Sequence, residues 1–78
     1  MTKLMEIRFS GPYITVGQLL KKLDIVSSGG EVKIFLEEGR LFVNGEREAR
    51  RGRKLLNGDT VRIGRQTYML KGDPNASD

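Results

Sequence analysis

The sequence predicts an α+β fold: two short helices packed on a small, mostly antiparallel sheet with a leading N-terminal strand. Three observations carry that reading. Segments opening at Thr15 and at Ser28 place apolar residues at helical period behind a hydroxyl side chain, with Gln18 or Glu31 three residues on. That is the spacing of a capping box. Ahead of them lies a roughly alternating stretch, Leu4-Met5-Glu6-Ile7-Arg8-Phe9. Behind them, short apolar runs are punctuated by Asn44-Gly45 and Asn57-Gly58, the chemistry of tight turns between antiparallel strands. A chain of 78 residues has room for one domain with a modest core. Residues 1–71 are read as that domain and 72–78 as a polar, disordered tail.

Each element has a local cause. Leu4 to Phe9 alternates as a half-buried strand does, and Ser10-Gly11-Pro12 ends it. The first helix is expected from Val16 to Leu23 or Asp24, with Val16, Leu19, Leu20 and Leu23 on one face and Lys21 and Lys22 pointing away. The second starts at Ser28, buries Val32, Phe35 and Leu36, and ends at Gly39, a residue suited to the left-handed position after a helix. Ile34 lies opposite that stripe, and we expect the N-terminal strand or a partner to cover it. Leu41-Phe42-Val43 then pairs with Glu46-Arg47-Glu48 across Asn44-Gly45. Thr60-Val61-Arg62-Ile63 and Thr67-Tyr68-Met69-Leu70 form the last strands, joined through Gly64-Arg65-Gln66.

Composition excludes several functions. The chain has neither cysteine nor histidine, which removes disulfides, thiolate chemistry and the usual zinc, haem and iron–sulfur ligands. No stretch approaches a membrane span and the N-terminus has no apolar signal region. We expect a cytoplasmic, monomeric protein without metal, cofactor or membrane contact. Its carboxylates sit on helix ends, beside the basic run and in the tail. Each is read as solvated surface, so no catalytic residue is assigned and an enzyme is not expected.

The net charge of +4 is unevenly spread. Five of the eight residues from Arg47 to Lys54 are cationic (Arg47, Arg50, Arg51, Arg53 and Lys54), and Glu48 alone opposes them there. Like charges gathered in one loop cost stability unless something outside the chain neutralises them. Arginine's planar fork suits phosphate oxygens. The Ser28-Gly29-Gly30 helix start adds backbone N–H groups that an anion can approach closely. Lys22 and Lys33 extend the patch over the helices, whereas Lys21 is read as plain surface. The candidate binding residues are therefore Lys22, Ser28, Gly29, Gly30, Lys33, Arg47, Arg50, Arg51, Arg53 and Lys54. The aromatics form no paired platform for stacking bases. Because the loop reads as exposed and self-repelling, replacing Arg50, Arg51 and Arg53 together with glutamine should leave stability unchanged or slightly improved.

The stretch SSGGEVKIFLEEGRLFVNGEREARRGRKLLNGDTV resembles the αL RNA-binding domain of ribosomal small-subunit protein S-four. The resemblance covers roughly Thr15 to Ile63. It rests on Ser28, Gly39, Val43-Asn44-Gly45 and Gly58-Asp59 at the family's spacing. The Ser-Gly-Gly start and the Arg-Arg-Gly-Arg-Lys run look like the stand-alone bacterial members of the YaaA/YbcJ type. The resemblance implies binding of structured RNA, ribosomal RNA or a ribosomal particle, and a part in ribosome assembly. Lys33 matches a commonly basic family position; Gly29 stands where many members carry arginine, so that contact is not carried over. The alternative is a protein-interaction module whose basic surface docks on an acidic partner, with Ile34 at the contact.

Overall fold

The computed structural model describes residues 4–73. A five-stranded sheet carries the chain in the order β1-β7-β6-β3-β4. Its members are β1 (Leu4–Ser10), β3 (Leu41–Val43), β4 (Glu46–Arg47), β6 (Thr60–Ile63) and β7 (Gln66–Asp73). Only β1 and β7 run parallel, in register from Leu4 opposite Thr67 to Ser10 opposite Asp73; the other pairs are antiparallel. The helices are α1 (Val16–Lys22) and α2 (Gly29–Glu37). Two short strands, β2 (Ile14–Thr15) and β5 (Lys54–Leu55), pair beside them in a second sheet.

The local chemistry explains the boundaries. Thr15 Oγ1 accepts from the Gln18 N–H at 3.2 Å, and Gln18 Oε1 accepts from the Thr15 N–H at 2.9 Å, a complete capping box. At the far end of α1, Asp24 adopts φ +60°. Its N–H donates to Lys21 O and that of Ile25 to Leu20 O, both at 3.0 Å. This is a Schellman stop with aspartate where glycine is usual, and it closes α1 one residue before the expected end. In α2 the box is altered. Ser28 Oγ accepts from the Glu31 N–H at 3.4 Å, but the Glu31 carboxylate takes the Ser27 N–H and hydroxyl, one residue upstream of the cap. Gly39 ends the helix at φ +73°. Asn44 and Gly45, at φ +50° and +87°, make the turn that pairs Val43 with Glu46.

The core lies between the helices and one face of the sheet. Leu19 and Leu20 of α1, Val32 and Leu36 of α2, and Leu41, Val43, Val61 and Leu70 of the sheet belong to one buried cluster. Phe9 joins it by laying its ring over Gly72, where a Cβ would stand 2.5 Å from the ring. Strand β7 thus continues through Gly72 and Asp73, which the sequence reading placed in the tail; residues 74–78 lie outside the described part. The N-terminal strand does not cover Ile34. β1 binds the β7 edge of the sheet, and Ile34 stays 60% exposed on the outer side of α2. No helix among the described residues is long and apolar enough to cross a membrane.

Candidate nucleic-acid interface

The basic loop between β4 and β5 is built around an acid. Glu48 is 5% exposed, which corrects its reading as a solvated surface carboxylate. Its Oε2 accepts from the N–H groups of Ala49 and Arg50 at 3.0 and 2.9 Å and from Arg50 Nε at 3.1 Å. Its Oε1 accepts from Arg50 Nη2 at 3.2 Å and from Arg53 Nη1 at 3.0 Å. The Arg50 guanidinium, with the Arg50 N–H and Arg53, holds the carboxyl down to about 2 against burial, which pushes it up. The Glu48 N–H still donates to Leu41 O of β3 at 3.0 Å, so the backbone stays beside the sheet while the carboxylate turns into the loop.

The same loop closes onto α1. Its carbonyls accept the first helical N–H groups, Val16 to Arg53 O at 3.0 Å and Gly17 to Arg51 O at 2.9 Å. These donors would otherwise be orphaned at a helix start. Gly17 lies directly against the loop, where a Cβ would stand in ordinary contact with Arg51 O at 3.5 Å. With its backbone fixed on α1, Arg51 reaches toward α2, and its Nη1 lies 3.6 Å from where a Gly29 Cβ would be. Gln18, Lys21, Gly29, Arg51 and Gly52 line the resulting open groove of about 350 Å³.

The groove is electrostatically unfinished. Arg51 and Lys21 are exposed and have no acidic partner among the described residues. Arg51 also stands at the positive end of α2, where a cation is disfavoured and an anion favoured. Gly30 opens the approach further, with nothing within 4 Å of a Cβ built on it. Lys33 stands exposed one turn beyond Gly29 on α2.

The predicted site residues therefore fall into several places. Ser28, Gly29, Gly30, Lys33 and Arg51 come together around the start of α2. Arg50 and Arg53 stand next to them but are turned to Glu48, with side chains 77% and 30% exposed. Lys54, on β5, places its Nζ 4.8 Å from the centroid of the Tyr13 ring. Arg47 lies at the opposite end of α2, its guanidinium against Gly39, about 15 Å from Gly29 at about 1.5 Å per helical residue. Lys22 lines a separate hollow with Arg8 and Lys71 at the edge of the large sheet. The lysine in the groove is its neighbour, Lys21. Sequence reasoning passed over it, although Gly17 one turn earlier marks the side of α1 that something approaches.

A family model described as the S4 domain matches residues 7–71, from β1 to β7. The chain belongs to the S4 domain family. It is also 54% identical over 50 residues to the probable ribosome maturation protein RlbA of Bacillus subtilis, covering 64% of this chain and 70% of that protein. The S4 match takes in both helices, the hairpin, the basic loop and the last strands, so the groove at the start of α2 is assembled wholly from S4-domain residues.

Proposed function

We propose that this S4-domain protein binds structured RNA, ribosomal RNA or an assembling ribosomal particle, without catalysing a reaction. It does so as a cytoplasmic monomer acting in ribosome maturation. The observation that carries the reading is Arg51. The loop backbone and Glu48 hold it at the start of α2, beside Lys21, with no acid among the described residues to neutralise it. A phosphate in that groove would meet two cations and the helix start together. The relative's name as a ribosome maturation protein directs the choice of RNA. Contacts of this kind position a protein on a folded RNA by shape more than they read its bases.

RNA titrations at several salt concentrations test it. Arg51→Gln and Lys21→Gln should each weaken binding and reduce the log–log salt slope by about 0.7–0.9, one phosphate contact's worth, while each variant melts as the parent does. Unchanged affinity and slope in both would show that RNA does not use the groove. Binding to an acidic polypeptide in preference to RNA would favour the protein-docking alternative.

A further inference from the structure

The strand registers divide the cationic segment between two sides of the sheet. Leu41, Val43, Val61 and Leu70 face the core, so alternation turns their neighbours to the other face. Phe42 stands opposite both Arg47 and Arg62, Arg62 opposite Thr67, and Thr67 opposite Leu4. One line of Cβ positions thus crosses all five strands on the face the helices leave open, although the Arg47 guanidinium folds away from it to Gly39 at the end of α2. The Arg62 guanidinium stacks on Phe42 at 4.3 Å from the ring centroid and donates to Gly64 O at 2.8 Å. Further along the same face, Arg8 lies directly opposite Lys71 in the parallel pair.

Like charges directly opposite one another destabilise a sheet. Glu6 and Asp73 are the acids on this face among the described residues, and Glu6 pairs with Arg8 at 3.4 Å. Arg62 and Lys71 have no acidic partner among those residues. Both are exposed. A stacked, backbone-anchored arginine is held with its fork ready for phosphate oxygens, at less entropic cost than a free one.

We propose that this open face, with Arg62 stacked on Phe42 and Lys71 beside Arg8, is a second contact for RNA phosphates, so that one molecule ties two RNA segments together. The proposal rests on the groove being an RNA site. It differs in making the protein a bridge between RNA segments on opposite sides of the sheet.

The experiment mixes two populations of one short RNA duplex, labelled with an energy-transfer donor or acceptor, and titrates in the protein. The wild type should bring donor and acceptor together at limiting protein and lose the signal at excess, when each duplex is separately saturated. Arg62→Gln/Lys71→Gln should still bind a single duplex but give no transfer. Its salt slope for that single duplex should match the parent's at the groove, because the lost contacts belong to the second duplex. Lys21→Gln/Lys33→Gln/Arg51→Gln should also lose transfer while keeping residual binding through the sheet. Should loss of the Arg62–Phe42 contact unfold the first variant, Arg8→Gln/Lys71→Gln poses the same question through charge alone. Duplex binding by the wild type without transfer, or transfer undiminished in the open-face variants, would overturn the bridge and leave the groove standing. No duplex binding by the wild type would overturn both.

Discussion

Glu48 turns a cluster of cations into a defined loop. Five donors converge on its carboxylate, two of them backbone N–H groups, and removal of the carboxylate would strand those donors. Glu48→Ala should lower stability by about 2–4 kcal/mol, reduced from the full cost of breaking a buried pair because Arg50 stays largely hydrated. Urea unfolding measures it. The pH dependence has a definite sign. The folded value of about 2 lies below the ordinary 4.5. The stabilisation is therefore complete above pH 4.5 and is lost as pH falls toward 2. The gap in stability between wild type and Glu48→Ala should be wide at pH 7 and narrower at pH 3. A gap independent of pH would mean that packing, rather than charge, sets the cost. The clamp also reverses a sequence-based expectation. Arg51→Gln should change stability by less than about 0.5 kcal/mol, as an exposed substitution does. Arg50→Gln/Arg53→Gln should cost about 1–3 kcal/mol by leaving a buried carboxylate under-paired.

At the scale of elements, glycines separate what folds the chain from what leaves room for a ligand. Gly72→Ala drives a methyl group into the Phe9 ring that fastens β1 to β7, and should cost about 1–3 kcal/mol. Gly30→Ala meets nothing and lies in the first turn of a helix. It should stabilise by about 0.4–1 kcal/mol while weakening RNA binding, because a phosphate at the start of α2 needs that space. Thermal melts paired with RNA titrations read both effects, and tighter or equal RNA binding by Gly30→Ala would remove the phosphate from that position. The helices and the Asn44-Gly45 hairpin were legible because caps and turns are local chemistry. β2 and β5 were not, since two residues carry no period. The parallel β1–β7 pair was not legible either, because no turn joins its strands and the pairing is settled by how the whole chain closes. The site was legible to the same extent. Ser28, Gly29 and Arg51 announce themselves by type. The choice of Lys21 over Lys22 depends on which side of α1 the loop packs against, a tertiary fact to which Gly17 alone points.

Across the whole molecule, the fold takes a segment from Arg40 to Arg65 with eight cations and three acids and distributes it over the groove, the loop and the open sheet face. This spreads the repulsion without abolishing it, so the free protein and its RNA complex should respond oppositely to salt. In the free chain, added salt screens the unpaired cations, the Debye length falling from about 30 Å at 0.01 M to about 8 Å at 0.15 M, and the melting temperature should rise. In the complex, phosphates already supply the countercharge, and binding adds RT ln(1 + [L]/Kd) to stability. Because Kd weakens steeply with salt as counterion release loses its advantage, the increment that RNA adds to the melting temperature should shrink over the same range. The two curves should therefore converge. In Lys21→Gln/Arg51→Gln the free protein should gain less from salt than the wild type does, and the increment from RNA should be smaller at every salt concentration. Melting curves of wild type and variant, with and without RNA at 0.01 and 0.15 M salt, decide it. A free protein that loses stability over that range would mean that its ion pairs outweigh the repulsion, and that the unpaired cations need no polyanion to be tolerated.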